Sequence, residues 1–289
     1  MADGDLITGD WQMERGSLLV GDGTSYDLRV VDGLASQPEV RSQDRALLLR
    51  HGSVAGLDYL GVRSFTVEFD VIEPTAATLS TLVAALSAAF VASESESVVA
   101  FQIPGVAAGV KSQVSARVRR RDIPIGFEFA QGVVTVAIEF VATDPRIYSQ
   151  VESSVSVGLA SNGGGLEFAA SPDFTFGAVS TGGEMTVENE GDFPAPVVFR
   201  IDGPCTDPVI ENQTVGSSIK LNLVVAASTY VLVDTEARTI LLNGTASRYS
   251  ALDSTSVWFD LAAGNNTIDF KAATTTAATC SATWRDAWS

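Results

Sequence analysis

Only one stretch of this chain carries a helical pattern, and it is wedged between strand patterns. Phe65, Val67, Phe69 and Val71 alternate with Thr66, Glu68 and Asp70, which places four large apolar side chains on one face of an extended segment. Pro74 stops that strand and suits the first turn of a helix. From Thr75 to Ala92, Leu79, Leu82, Val83, Leu86 and Phe90 recur at helical spacing, with alanine filling many of the other positions. The stripe predicts a helix laid on a sheet, not a ligand-binding face. Further strands are predicted over 98–103, 110–121 and 133–142, the last stopping at Asp144-Pro145.

Upstream, short apolar runs at 18–20 and 26–31 flank the Gly21-Asp22-Gly23 turn. Residues 37–61 lack a pattern and hold Arg41, Asp44, Arg45 and Arg50. A long arm of this kind inside a compact domain tends to be functional or to contact a partner. Downstream of Asp144 no helical pattern recurs. Residues 148–165 connect the halves, with a turn at Asn162-Gly163-Gly164-Gly165. Short strands are then predicted at 184–188, 197–201, 208–211, 218–224, 230–234, 239–242, 257–261, 267–271 and 279–284. Turns at Asn243-Gly244 and Ala263-Gly264-Asn265-Asn266 punctuate them, which is the signature of an antiparallel sandwich. The expected organisation is two domains, 1–150 with a sheet and one covering helix, and 151–289 as the sandwich. The fold class is mainly β, a mixed α/β domain joined to a β-sandwich.

Charged residues make up only 18% of the chain against 46% hydrophobic, so each half can bury a core, with some surface expected to be covered by partners. The net charge of −17 argues against a nucleic-acid-binding surface, which needs clustered lysine and arginine to displace counterions. Solubility is the plain reading of such acidity. The dense basic feature is Arg117, Arg119 and Arg121, which alternation places opposite Val114, Ala116 and Val118, with Arg120 beside them. Together with Arg41 and Arg45 these are candidate contacts to acidic patches on a neighbouring copy, and a solvated sheet face is the alternative. No apolar run approaches the ~18 residues of a membrane span. The acidic amino end lacks the order of a signal peptide, so folding in the cytoplasm of the producing cell is expected. Asn-x-Thr triplets at Asn212, Asn243 and Asn265 read as turns.

Reactive chemistry is sparse. His51 is the lone histidine, in a polar loop with no nucleophile nominated beside it. One histidine and two separated cysteines make no zinc site of usual composition. There is no phosphate-binding or dinucleotide motif, and the acidic pairs Glu94/Glu96 and Glu188/Glu190 sit in turns. No catalytic residue, cofactor or metal is predicted. Cys205 and Cys280 are either buried thiols or a bridge within the sandwich. Tyr249, Trp258, Trp284 and Trp288 gather near the carboxyl end, either as carbohydrate contacts or as core and interface residues.

Several segments in order resemble the distal tail proteins of long-tailed siphophages, particularly minor tail proteins of phages that infect actinobacteria. They are 65–72 with the helix 75–92, the strand end running from Phe140 through Asp144-Pro145-Arg146 to Ser149, and then Glu188-Asn189-Glu190-Gly191-Asp192-Phe193-Pro194-Ala195-Pro196. Ile201-Asp202-Gly203-Pro204, Val233-Asp234-Thr235, Leu241-Leu242-Asn243-Gly244 and Leu261-Ala262-Ala263-Gly264-Asn265-Asn266 complete the set. The match runs from about residue 56 onward. The resemblance implies a tube-protein-like amino domain closing into a homo-hexameric ring, with a galectin-like sandwich attached. It implies a virion location at the distal end of the tail, joining tail tube to baseplate hub. The implied partners are further copies, the tail tube protein, a hub or tail-associated protein and the tape measure protein, with DNA in transit and not bound. On that reading six chains at −17 each carry roughly −100, enough to keep DNA sliding through a narrow lumen. The alternative function is a carbohydrate-binding adhesin of the tail tip.

Overall fold

The computed structural model describes residues 3–159, 166–167, 175–176, 183–273 and 277–289. The turn expected at Asn162–Gly165 lies outside the described residues. The chain divides into two compact units, Met1–Val151 with Trp288–Ser289, and Glu152–Ala287.

The first unit holds β1 (Gln12–Arg15), β2 (Leu18–Gly21), β3 (Tyr26–Asp32), β4 (Val40–Ser42), β5 (Arg45–Ala46), β6 (Ser53–Val54), β7 (Asp58–Leu60), β8 (Arg63–Ile72), α1 (Ala76–Ala89), β9 (Ser97–Gln102), β10 (Ser112–Asp122), α2 (Phe127–Ala130), β11 (Val133–Ala142) and β12 (Ile147–Ser149). Its main sheet runs β2-β1-β9-β10-β11-β8-β3, with β12 also beside β10. β11 ends at Ala142, ahead of the Asp144-Pro145 turn as expected, and the short β12 after the turn pairs with the same neighbour, β10.

One sheet face is buried by α1. Thr75 caps the helix, its hydroxyl accepting from Thr78 N–H at 3.3 Å. Leu79 and Leu86, seven positions apart, are fully buried. They meet Phe65, Phe69, Val118, Ile138 and Phe140 in one core. Phe90 ties the layers together, 6.1 Å from the Phe69 ring and 6.0 Å edge-on to Phe140, which itself stacks on Phe65 at 4.8 Å. The last helical turn contains no basic residue of its own. Two sheet arginines serve instead: Arg15 donates to Ala89 O, and Arg121 donates to Ser87 O and, at 3.1 Å, to Phe90 O.

β1 was not anticipated from its sequence, because Gln12, Glu14 and Arg15 are polar yet buried. Their side chains fasten the amino-terminal segment over the strand. Gln12 Oε1 accepts from Thr8 N–H at 2.7 Å, and Glu14 Oε2 accepts from Leu6 N–H at 2.8 Å.

The second unit comprises β13 (Ser153–Gly158), β14 (Leu166–Glu167), β15 (Thr175–Phe176), β16 (Glu184–Asn189), β17 (Val197–Asp202), β18 (Cys205–Thr206), β19 (Val209–Asn212), β20 (Ser217–Lys220), β21 (Val224–Val225), β22 (Tyr230–Asp234), β23 (Thr239–Leu242), β24 (Ala246–Ser247), β25 (Gly264–Lys271), β26 (Thr279–Trp284) and the first residue of β27 (Ala287–Trp288). Two antiparallel sheets, β13-β26-β17-β22-β23-β24 and β16-β25-β19-β20, form the sandwich. Alternation along the strands turns Val197, Phe199, Ile201, Val231, Val233, Ile210, Ile268 and Phe270 inward. The strand expected over 257–261 does not form; only Leu261 makes an isolated bridge, to Ala195. The run expected over 218–224 also breaks, with Leu221 bridging Leu252 and β21 turning to pair with β18. The fold class is mainly β, as expected.

Candidate interaction surfaces

The patternless arm is a nested hairpin. β4 pairs with β7 and β5 with β6, both antiparallel, and Leu47 N–H donates to Gly52 O at 3.1 Å across the tip. Leu48 and Leu49 at that tip are 97% and 96% exposed. Two adjacent leucines held in water on an ordered hairpin forgo about 1.5–3 kcal/mol each of burial energy. Arg41 and Arg45 lie exposed along the same hairpin, and their side chains take no hydrogen bond or ion pair among the described residues. His51 is exposed at the same tip. At the root, Arg63 is only 1% exposed. It donates to Pro145 O at 2.7 Å, to Leu34 O and to Ser36 O at 2.9 Å, joining the chain entering the arm to the sheet.

The sheet face away from α1 carries Thr66, Glu68 and Asp70 on β8 and Thr135 and Glu139 on β11. Asp70 accepts from Thr135 Oγ1 at 2.6 Å and lies 3.7 Å from Arg29. Arg117 shares this face. The expected alignment of Arg117, Arg119 and Arg121 on one face is corrected here. The register slips between Val118 and Arg120, so Arg119 is the extra residue of a bulge. A one-residue slip swaps faces. Arg120 then pairs opposite Glu139 on the open face, and Arg121, opposite the buried Ile138, turns inward to cap α1. At the far end of β8 from the arm, Ile125 and Phe127 are exposed in the β10–β11 connection.

The four carboxyl-end aromatics do not form one cluster. Trp284 is buried, donating from Nε1 to Glu188 O at 2.9 Å, and Trp288 belongs to the core of the first unit. Tyr249 and Trp258 alone remain accessible, stacked 6.5 Å apart with planes at 13°. Cys205 and Cys280 are buried free thiols. Burial pushes the Cys205 thiol up to about 11 and raises Cys280 further. No group of three or more histidine, cysteine, aspartate or glutamate residues is placed to hold a metal among the described residues. Among them, no helix is long and apolar enough to cross a membrane.

Residues 190–288 match the family described as siphovirus-type tail component, C-terminal domain. That match spans the larger part of the second unit. Across both units the fold is that of the SPP1 Dit (gp 19.1) protein, described as a paradigm of the hub adsorption apparatus in phages infecting Gram-positive hosts. The TM-score is 0.66 at 16% identity, covering 95% of this chain and 98% of that one. Chains of the phage P2 baseplate in its activated conformation, with Ca or with Sr, align at 9% identity over 94% of this chain and 97% of theirs. Their TM-scores are 0.46 and 0.45. Comparison with curated protein sequences finds no match.

Within the second unit, the motifs that carried the resemblance are buried polar staples rather than reactive groups. Asn189, Asn212 and Asn266 are fully buried. Asn266 donates to Ala262 O at 2.8 Å and Gly264 O at 3.0 Å, and accepts from Ala262 N–H at 2.9 Å and from Asn212 Nδ2 at 3.2 Å. Asn189 donates to Phe193 O at 2.8 Å and accepts from Gly191 N–H at 3.1 Å and Ala287 N–H at 3.2 Å. Gly191 is needed there because a Cβ would sit 1.8 Å from Ala287 O. The Asp144-Pro145-Arg146 motif of the first unit is similar in kind. Tyr148 donates to Asp144 Oδ2 at 2.7 Å and accepts from Arg146 at 3.2 Å. Burial, then the Asp144 charge, holds that phenol neutral well above its ordinary range. The buried Arg63 and the caps from Arg15 and Arg121 had no sequence signal, each lying beside polar or small residues.

Proposed function

We propose that this chain is a structural protein of the virion tail, a distal adaptor whose copies close through the first unit into a hexameric ring. The ring joins the tail tube to the baseplate hub, and its lumen passes DNA. The observation that carries this reading is the arm: a strand-paired hairpin rooted by Arg63 that presents two almost fully exposed leucines and two arginine side chains without partners among the described residues, on a chain of net charge −17. An apolar tip on a shaft that offers Arg41 and Arg45 can meet a neighbouring acidic copy, and a head-to-tail contact of that kind closes into a ring when the rotation per copy is right. Arg117 and Arg119 are the further candidate contacts between copies, whereas Arg121 is occupied by the helix end.

Two features support the adaptor role. The arm leaves the sheet at the start of β8, and exposed Ile125 and Phe127 mark its other end. Ten strand residues place these apolar surfaces roughly 30 Å apart, suited to meeting different neighbours. The open sheet face mixes Glu68, Asp70 and Glu139 with Arg117 and Arg120, so repulsion of a DNA backbone along the lumen rests on the net charge of −17 per copy. The tape measure protein is a further partner on this reading. Light scattering on the purified chain tests it. Wild type is expected at six times 30.3 kDa, roughly 180 kDa, and Leu48→Asp with Leu49→Asp at the monomer mass. A monomer in both would overturn ring closure through the arm.

A further inference from the structure

The segment leaving β24 runs beside β20 and carries the accessible aromatic pair. With centroids 6.5 Å apart and planes 13° from parallel, the two rings are offset rather than eclipsed, and so form a terrace. Tyr249 is 51% exposed. The Trp258 indole N–H takes no hydrogen bond among the described residues.

The frame under the rings is preorganised. Asn222 N–H donates to Ala251 O at 2.7 Å, and Asp253 N–H to Lys220 O and Val257 N–H to Ser218 O at 2.9 Å each. The Asp253 carboxylate accepts from Thr255 N–H at 2.8 Å, Thr255 Oγ1 at 2.7 Å and Asn222 Nδ2 at 3.1 Å. Core packing does not account for the pair, since Phe259, the next residue, already fills the interior against Phe199 at 5.9 Å.

We propose that Tyr249 and Trp258 form a carbohydrate-binding platform that receives the C–H face of a pyranose ring. Size favours a sugar over a protein. Two aromatic side chains bury at most about 300–500 Å² when fully covered, well below the ~800 Å² per partner of a stable protein interface. The chemistry agrees. Sugar C–H groups, polarised by their oxygens, meet the negative face of an aromatic ring. Hydroxyls at the ring edge meet the indole N–H and the exposed guanidinium of Arg248, whose side chain makes its sole hydrogen bond among the described residues to Ser247 O at 3.1 Å. The proposal does not depend on ring formation.

Affinity electrophoresis of the full chain tests it, in native gels containing hydroxyethyl cellulose, galactomannan or glycol chitin. Wild type is expected to be retarded in at least one gel. Tyr249→Ala and Trp258→Ala are each expected to weaken retardation by about tenfold, the scale of one lost stacking contact. Tyr249→Phe, which keeps the ring, and Arg200→Ala, on the outer face of β17, are expected to behave as wild type. No retardation in any gel, or retardation unchanged by Tyr249→Ala, overturns the proposal. Should Trp258→Ala fail to fold, Tyr249→Ala gives the same readout, because its half-exposed ring is dispensable to the core.

Discussion

Buried polar side chains carry much of the specificity of this molecule. The Arg63 guanidinium donates to the backbone carbonyls of Leu34, Ser36 and Pro145. Replacing it by methionine keeps volume but strands those carbonyls, each costing about 1–3 kcal/mol if left buried and unpaired. Arg63→Met is therefore expected to lower the melting temperature and to raise amide exchange in residues 34–61, whereas the sandwich should be unaffected. Asn266→Ala makes the converse case, destabilising the second unit by a similar amount in a denaturant titration. Thiol chemistry gives a third check. The unfolded Cys205 thiol ionises near 9.0 and the folded one near about 11. The buried neutral thiol thus contributes stability below pH 9 that is lost as pH rises towards 11. A disulfide-exchange reagent at pH 8 should label Cys205 and Cys280 only upon unfolding.

At the scale of elements, the helix and the long strands were legible because each has one wet and one dry face. β8, α1 and β11 fall where alternation and helical spacing put them. Legibility failed where pattern and burial part company. β1 is polar in sequence yet buried, because its side chains bond a covering segment rather than water. The arm is apolar at its tip yet exposed, so alternation had no dry face to report. The bulge at Arg119 is invisible in a run of arginines, and it moved Arg121 from the expected contact face to the helix end. Phe90→Ala, in contrast, removes a ring packed between helix and sheet and should cost about 3–5 kcal/mol in unfolding experiments. Arg121→Ala should cost less, about 0.3–2 kcal/mol, and fray the last turn of α1 first. Of the candidate site residues, Trp284 and Trp288 take the core alternative, and proximity in sequence says nothing of which unit claims each ring.

For the whole molecule, two units built from strands present apolar and charged features outward while their interiors hold satisfied polar groups, which suits a part made to be assembled. The open sheet face argues a further prediction. Reversing Glu68 and Glu139 to lysine should confer salt-sensitive DNA retention that wild type lacks, read by electrophoretic mobility shift. The most direct measurement is electron microscopy of the purified chain, with light scattering on the same sample. Six-fold rings of roughly 180 kDa that vanish in Leu48→Asp with Leu49→Asp are the expected result. A wild-type monomer whose mass is indifferent to that double substitution would contradict assembly through the arm.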